Sequence, residues 1–495
     1  MLFNSINFIY FFVIVTTLYY VLPHKWRWLA LLIASCIFYM YFIPVYILIL
    51  FVTIIIDYCA GILIEKYNYQ KKLILIISII SNIGILIFFK YTNFFIDSVN
   101  DLAQIIGWNY SLPLLSIILP IGLSFHTFQA LSYTIEVYRG NQKAEKHLGI
   151  YALYVMYYPQ LVAGPIERPQ KLLHQFHEKH FFVTERVFSG LKQMLWGFFK
   201  KMVIADNIAQ MINPVFENPH QFESISILIA AVFFSFQIFC DFSGYSDIAL
   251  GASRVMGIEL MRNFRSPYFS SSISEFWSRW HISLSTWFKD YVYIPLGGNK
   301  VSKYKWLRNL FIVFLLSGLW HGASWCFILW GALHGVYLIV EILTAKIRFN
   351  IANSIRLIRL PRIYKFIQVF TVFSLVTIAW VFFRATTFDD AIFIIHKMFV
   401  AIPEYFSNLS NPNYLWLEPL IFNQNVYNVW LSFVFIILSI LLMEWVHKIE
   451  LTSSMSSFLA KKRIGVRWSF YAVLIYLILF FGTFHSKQEF IYFQF

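Results

Sequence analysis

The chain is poor in charge. Of its 495 residues only 13% are Asp, Glu, Lys or Arg, and acidic residues are the scarcer kind, 25 against 39 basic. A soluble chain of this length carries far more charge, so a soluble globular enzyme is excluded. Cysteine is nearly absent. Cys36, Cys59, Cys240 and Cys326 lie in apolar segments without metal-ligand spacing. That excludes a disulfide framework and predicts buried free thiols. The first apolar run, 2–22, lacks a basic leader and a small-residue cleavage site, so it reads as a retained span and not a signal peptide. No Gly-x-Ser-x-Gly elbow and no Walker loop occurs, which removes the usual signatures of a serine hydrolase and a nucleotide-binding motor. There is also no soluble domain, convincing internal repeat or low-complexity linker.

What fills the chain instead is apolar and aromatic: 59% hydrophobic, 20% Phe, Trp or Tyr, with mean hydropathy +0.64. Apolar runs of about 20 residues recur from end to end, each long enough for a hydrocarbon core of about 30 Å. The expectation is an all-α polytopic membrane protein, a single membrane domain over 1–495 embedded in the lipid bilayer. Spans are expected near 2–22, 29–43, 45–64, 73–90, 113–137, 188–212, 224–250, 366–384, 428–446 and 468–485. With the segment 310–342 and any re-entrant piece, the tally is about eleven or twelve. The surplus charge of +14 is concentrated in loops, at Lys25 and Arg27, at Lys66, Lys71 and Lys72, at Arg139, Lys143 and Lys146, and through 251–308. This is the positive-inside pattern. It accounts for the basic pI without nucleic acid and puts both termini outside the cytoplasm.

His321, in Ser317-Gly-Leu-Trp-His-Gly-Ala-Ser-Trp325, is an ionisable group in an otherwise apolar, membrane-length stretch. Such a group costs up to a few kcal/mol at the bilayer centre. Arg308 precedes the stretch and Lys346, Arg348 and Arg356 follow it. Both flanks therefore belong inside, and the chain must turn, with Gly318 and Gly322 marking the place. His321 lies roughly 20 Å of helical rise beyond Arg308, at membrane depth. A packing histidine bonded across helices is the plain alternative. His334 stands another roughly 20 Å along a helix, so it faces the same substrate only if the chain bends. His126 and His281 could converge on His321 from other segments. A neutral imidazole suits removal of a hydroxyl proton near pH 7.

The stretch 276–299 alternates aromatics with Arg279, His281, Lys289 and Asp290 and ends in Gly297-Gly298-Asn299. It reads either as an interfacial amphipathic helix or as a segment dipping in to line a polar cavity. Arg279 and Lys289 could attract an anionic donor, a phosphopantetheine or nucleotide phosphate. Upstream, Asp241 and Asp247 are six residues apart and do not share a helix face, which argues against a carboxylate dyad and for separate structural pairs, with Arg254 or Arg279 as candidate partners. His174, His177 and His180 recur every third residue in a basic loop, a poor spacing for zinc. The Pro- and Gly-rich piece 157–168 suits a bent or re-entrant element better than a span.

Taken in order, Pro159-Gln-Leu-Val-Ala-Gly-Pro-Ile166, Asp241-Phe-Ser-Gly-Tyr-Ser-Asp247, Phe276-Trp-Ser-Arg-Trp-His281, Tyr293-Ile-Pro-Leu-Gly-Gly-Asn299, Trp320-His-Gly322 and Gly331-Ala-Leu-His-Gly335 resemble the membrane-bound O-acyltransferases. The likeness covers essentially the whole chain, with its motif core at 241–335. Within the family it looks like the bacterial branch that O-acetylates alginate and peptidoglycan; the opening Met1-Leu-Phe-Asn-Ser5 and closing Phe490-Ile-Tyr-Phe-Gln-Phe495 share that look. The resemblance implies helices around a membrane-spanning funnel in the bacterial inner membrane. It implies that His321 is the essential histidine and His281 the second active-site position. Arg279, Lys289, Asn299 and Trp320 would then lie toward the donor, with acetyl-CoA as the implied acyl donor. An extracytoplasmic polysaccharide is the implied acceptor, reached with a separate periplasmic partner protein. No bound cofactor or metal is expected. Two other classes compete: a transporter or channel relaying protons through its histidines, and a non-catalytic scaffold of an envelope synthase.

Overall fold

The computed structural model describes residues 1–108, 110–117, 119–162, 164–409, 429–484 and 490–491, so 492–495 of the closing motif lie outside the described residues. Among the described residues there are helices and no strands. The chain forms two compact units. One comprises Met1–Gly197 with Tyr245–Arg262, and the other Phe198–Gly244 with Asn263–Ile491.

The first unit contains α1 (Ile6–Val21), α2 (His24–Met40), α3 (Ile47–Lys66), α4 (Lys71–Ile105), α5 (Leu123–Tyr138), α6 (Leu148–Met156), α7 (Tyr158–Leu161), α8 (Pro169–His177) and most of α9 (Thr184–Phe198). Some polar groups inside it find one another, as an apolar solvent favours. Asp57 on α3, fully buried, accepts hydrogen bonds from Ser78 and Asn82 on α4 and from Thr134 on α5. Three helices are thereby fixed in register. The bent piece expected at 157–168 is the short α7, with Pro159 in its first turn and its four side chains buried. Irregular backbone is tolerated there because protein covers it. Gln129 on α5 holds this piece, donating to the Tyr154 carbonyl and accepting from the Glu167 N–H.

Glu167, between α7 and α8, accepts from the Met261 N–H. Burial drives its carboxyl up from 4.5 to about 7, against the lowering effects of that hydrogen bond, Lys171 and Arg168. Its contribution to stability is therefore fully present below about pH 4.5 and is lost as pH rises through about 7. Glu167→Gln keeps the acceptor and removes the titration. Thermal unfolding in detergent should show a flatter pH dependence between those limits and a more stable variant above pH 7.

The second unit begins with a π-helical segment, Phe199–Ala205, and α10 (Asp206–Glu217). The first part of α11 (Ser224–Met256) follows, and residues from Tyr245 onward join the first unit. Then come α12 (Ile273–Arg279), α13 (Ile282–Phe288), α14 (Lys303–His321), α15 (Trp325–Ser354), α16 (Pro361–Arg384), α17 (Phe388–Asn408), α18 (Val429–Glu450), α19 (Met455–Ala460) and α20 (Ile464–Phe481). The turn expected in 310–342 is present. α14 ends at His321, Gly322 caps it, and Ser324 caps α15, its side chain accepting from the Cys326 N–H. The two helices pack backbone to backbone at Gly318 and Gly331. A Cβ at Gly318 would stand 2.3 Å from the Phe327 carbonyl oxygen, and one at Gly331 2.4 Å from that of Phe314. Small residues at such crossings let helices approach in lipid. Gly318→Val should destabilise the hairpin by about 1–3 kcal/mol through overpacking, read as a lowered thermal midpoint in detergent.

Seven helices are long and apolar enough to cross a membrane among the described residues, consistent with the expected all-α polytopic membrane protein; other expected spans fall on shorter or more charged helices. α1 and α5 have only 16 residues, α2 has 17 and carries Lys25 and Arg27, and α14 opens with Lys303, Lys305 and Arg308. The run near 188–212 is divided by the π-helical segment. α4 in turn exceeds its expected span, with 35 residues and a length of roughly 50 Å. The cysteines also differ: Cys240 and Cys326 are buried and Cys36 is half-buried, but Cys59 is exposed. An apolar segment hides a thiol only on the face of its helix that meets other helices.

Candidate active site

His281 and His321 come together in the second unit. Their ring centroids are 6.4 Å apart, and both side chains are buried, at 1% and 4% exposure. This spacing is too wide for a direct ring-to-ring hydrogen bond and suits one hydroxyl oxygen between two nitrogens, each at about 2.8–3.0 Å.

Local sequence explains how each imidazole reaches this place. His281 joins α12 to α13 with left-handed backbone, φ 42°, a conformation that costs a non-glycine residue about 1–3 kcal/mol. The surroundings enforce it. The Ile282 N–H donates to the Asn263 carbonyl at 2.9 Å, the Ser283 N–H to Asn263 Oδ1 at 3.3 Å, and the Arg265 N–H to the Arg279 carbonyl at 3.0 Å. Between these clamps the chain reverses, and the ring of His281 packs on Phe242 at 4.7 Å. The stretch 276–299 is thus not a continuous interfacial helix. Phe276, Trp280, Leu284, Trp287 and Phe288 are buried in protein. His321 is placed by the end of α14, against Trp320 at 4.8 Å, Trp330 on α15 at 4.9 Å and Phe383 on α16 at 5.3 Å.

His334 does reach this neighbourhood, because the hairpin supplies the bend its distance along the chain required. It lies 5.0 Å from Trp330, so one indole touches both histidines. Trp320 packs within 6.1 Å of His281. Of the other donor-side candidates, Arg279 is engaged by Glu275 at 2.5 Å and by the Ser266 carbonyl at 3.4 Å, while Lys289 and Asn299 are exposed. His126 belongs to the first unit, where it lines a small cavity with Gln129, Gln160 and Ile166. His177 bonds Glu145 at 2.9 Å, and His180 bonds the Gln175 carbonyl at 2.8 Å.

Asp241 and Asp247 do form separate pairs, but not with Arg254 or Arg279, which engage Glu259 and Glu275. Asp247 accepts from Gln193 at 2.9 Å in the first unit. Asp241 meets the buried Lys201 at 2.6 Å, and Lys201 meets Asp206 at 2.7 Å. The second oxygen of Asp241 accepts from the Ile491 N–H at 2.8 Å, and the adjacent Phe242 is the residue packed on His281. The sequence reading passed over Lys201. Its signal was present all the same: Lys200-Lys201 interrupts an otherwise apolar run. Trp330 and Trp380, central to the aromatic packing here, were missed because a tryptophan in a membrane sequence is ordinary until its neighbours are known.

Arranged this way, the unit brings two buried imidazoles together among aromatic side chains, chemistry suited to acyl transfer. Similarity to known proteins points the same way. A model of the membrane-bound O-acyltransferase family matches residues 144–385. The chain is 37% identical over 425 residues to the probable alginate O-acetylase AlgI of Pseudomonas aeruginosa, covering 84% of this chain and 78% of that one. It is 35% identical over 440 residues to the peptidoglycan O-acetyltransferase of Helicobacter pylori, covering 80% of each. A shorter match, 32% over 242 residues, joins it to the teichoic acid D-alanyltransferase of Streptococcus thermophilus, covering 45% and 56%. The chain belongs to the membrane-bound O-acyltransferase family and is a multi-pass membrane O-acyltransferase.

Proposed function

We propose that this enzyme moves an acetyl group from a cytoplasmic thioester donor, acetyl-CoA, toward hydroxyl groups of an extracytoplasmic envelope polysaccharide, with His321 as general base and His281 sharing or orienting the proton. The observation that carries this reading is the pair of buried imidazoles 6.4 Å apart. The acceptor hydroxyl gives its proton to His321 as its oxygen attacks the thioester carbonyl. Collapse of the tetrahedral intermediate breaks the carbon–sulfur bond, and the thiolate takes the proton back from the imidazolium. The aromatic enclosure excludes water, which would otherwise compete as acceptor.

The polysaccharide acceptor is supported by the names of the similar proteins, a probable alginate O-acetylase and a peptidoglycan O-acetyltransferase. A bacterial inner-membrane location is supported by the bacterial source of the similar proteins, and termini outside the cytoplasm by the basic loops. Lys289 and Asn299 are exposed, as are Lys300, Lys303 and Lys305, and these lysines would meet the donor's phosphates from the cytoplasm. Arg279 is the weaker donor contact, since Glu275 already holds it. A separate extracytoplasmic protein would complete transfer onto the polymer. The test is chemical: envelope glycans from cells with and without the protein, together with label transfer from radiolabelled acetyl-CoA by the purified enzyme. Unchanged glycan acetylation and no label transfer would overturn the reading.

A further inference from the structure

Three buried nitrogens in a cluster centred on Trp330 have no hydrogen-bond partner among the described residues: Nε1 of Trp330, Nε1 of Trp380 and Nε2 of His334. All three side chains are at 0% exposure. Their rings are contiguous, with Trp330 5.0 Å from His334 and 5.7 Å from Trp380, and His334 6.3 Å from Trp380. Trp330 also touches His321 at 4.9 Å.

The chemistry of this patch is one-sided. An indole nitrogen only donates. His334 Nδ1 accepts from Trp277 Nε1 at 3.3 Å, so the neutral ring carries its proton on Nε2. All three orphaned atoms are therefore donors, with no orphaned acceptor among their rings. Buried polar groups are ordinarily partnered, and exceptions ask for an explanation. A water molecule serves such a patch poorly, because it brings two donors of its own that would need acceptors. An oxygen that gathers negative charge suits it well, since it accepts several hydrogen bonds and gives none.

We infer that Trp330, Trp380 and His334 form the site for the carbonyl oxygen of the acyl group, and that their N–H groups hold the oxyanion as the tetrahedral intermediate forms next to His321. The inference rests on the proposed role of His321. In the step concerned, the acceptor oxygen bonds to the carbonyl carbon while its proton passes to His321. The carbonyl π pair moves onto the oxygen facing these donors, and returns when the carbon–sulfur bond breaks. The base and the electrophilic donors would thus share Trp330 as a common wall.

The test uses full-length purified enzyme with acetyl-CoA as donor and a soluble sugar acceptor. Trp330→Phe and Trp380→Phe keep an aromatic ring and lose the N–H. Each should lower kcat about 10²–10³-fold, the effect of removing one such donor, with KM for acetyl-CoA changed less than about threefold. His334→Gln, which retains an N–H donor, should keep much more activity than His334→Leu, a contrast that packing alone does not produce. Thermal midpoints in detergent identify properly folded variants. Folded Trp→Phe variants with kcat near wild type, or equal activity for the Gln and Leu variants, would overturn the inference while leaving acyl transfer intact. Absence of transfer by the wild-type protein would overturn the proposed function as well.

Discussion

His321→Ala should reduce acyl transfer by about 10²–10⁴-fold, the range expected when a general base is removed, while the protein still inserts and folds. The side chain sits at the end of α14, beside a three-residue connection to α15, and its ring is held by packing against Trp320, Trp330 and Phe383. Truncation to alanine removes the base and leaves those aromatic walls in contact with one another through Trp330 and Phe383 at 5.4 Å. The loss should therefore fall on turnover more than on stability. His281→Ala should lower activity less, since that ring orients or shares a proton that His321 takes. Measurement of acetyl transfer, with membrane protein levels and thermal midpoints determined in parallel, checks both. Retained transfer by folded His321→Ala would remove His321 from the mechanism.

Lys201→Met should produce the largest loss of stability, about 3–5 kcal/mol, because it leaves buried carboxylates without their cation. Lys201 bridges Asp206 and Asp241, and all three side chains are at most 4% exposed. Removing one member of a buried ion cluster strands the others, whereas removing the charges together is far less costly. The triple variant Lys201→Met, Asp206→Asn, Asp241→Asn should accordingly recover much of the stability lost by the single change. Thermal unfolding and size-exclusion behaviour in detergent give the comparison. A single variant as stable as wild type would show that these groups are solvated. The effect should extend to activity, since Asp241 adjoins Phe242, which packs on His281.

Much of this was legible in the sequence because solvent dictates it. A chain with so little charge and so many long apolar runs must span a membrane as helices, since no other open structure satisfies its backbone there. The hairpin followed from basic residues on both sides of an apolar segment, and Gly318 and Gly322 marked its turn. Helix ends were less legible. A hydropathy run does not reveal that a helix stops at 16 residues, as α1 and α5 do, or that a π-helical segment divides it, as at Phe199–Ala205.

The sequence by itself thus determined the environment, the family and the residues with unusual chemistry: His321, His281, His334 and the two aspartates. Each stood out because a polar group in an apolar run is expensive. Tertiary structure alone decided which of these meet. It brought His281 to His321 by way of its own left-handed backbone, clamped by Asn263, and packed both His321 and His334 against Trp330. It gave Asp241 to Lys201 in place of an arginine, and separated Asp247 into the other unit. Contacts between segments depend on helix crossings and chain reversals, which are set by packing over the whole unit and leave no periodic signal in any one stretch.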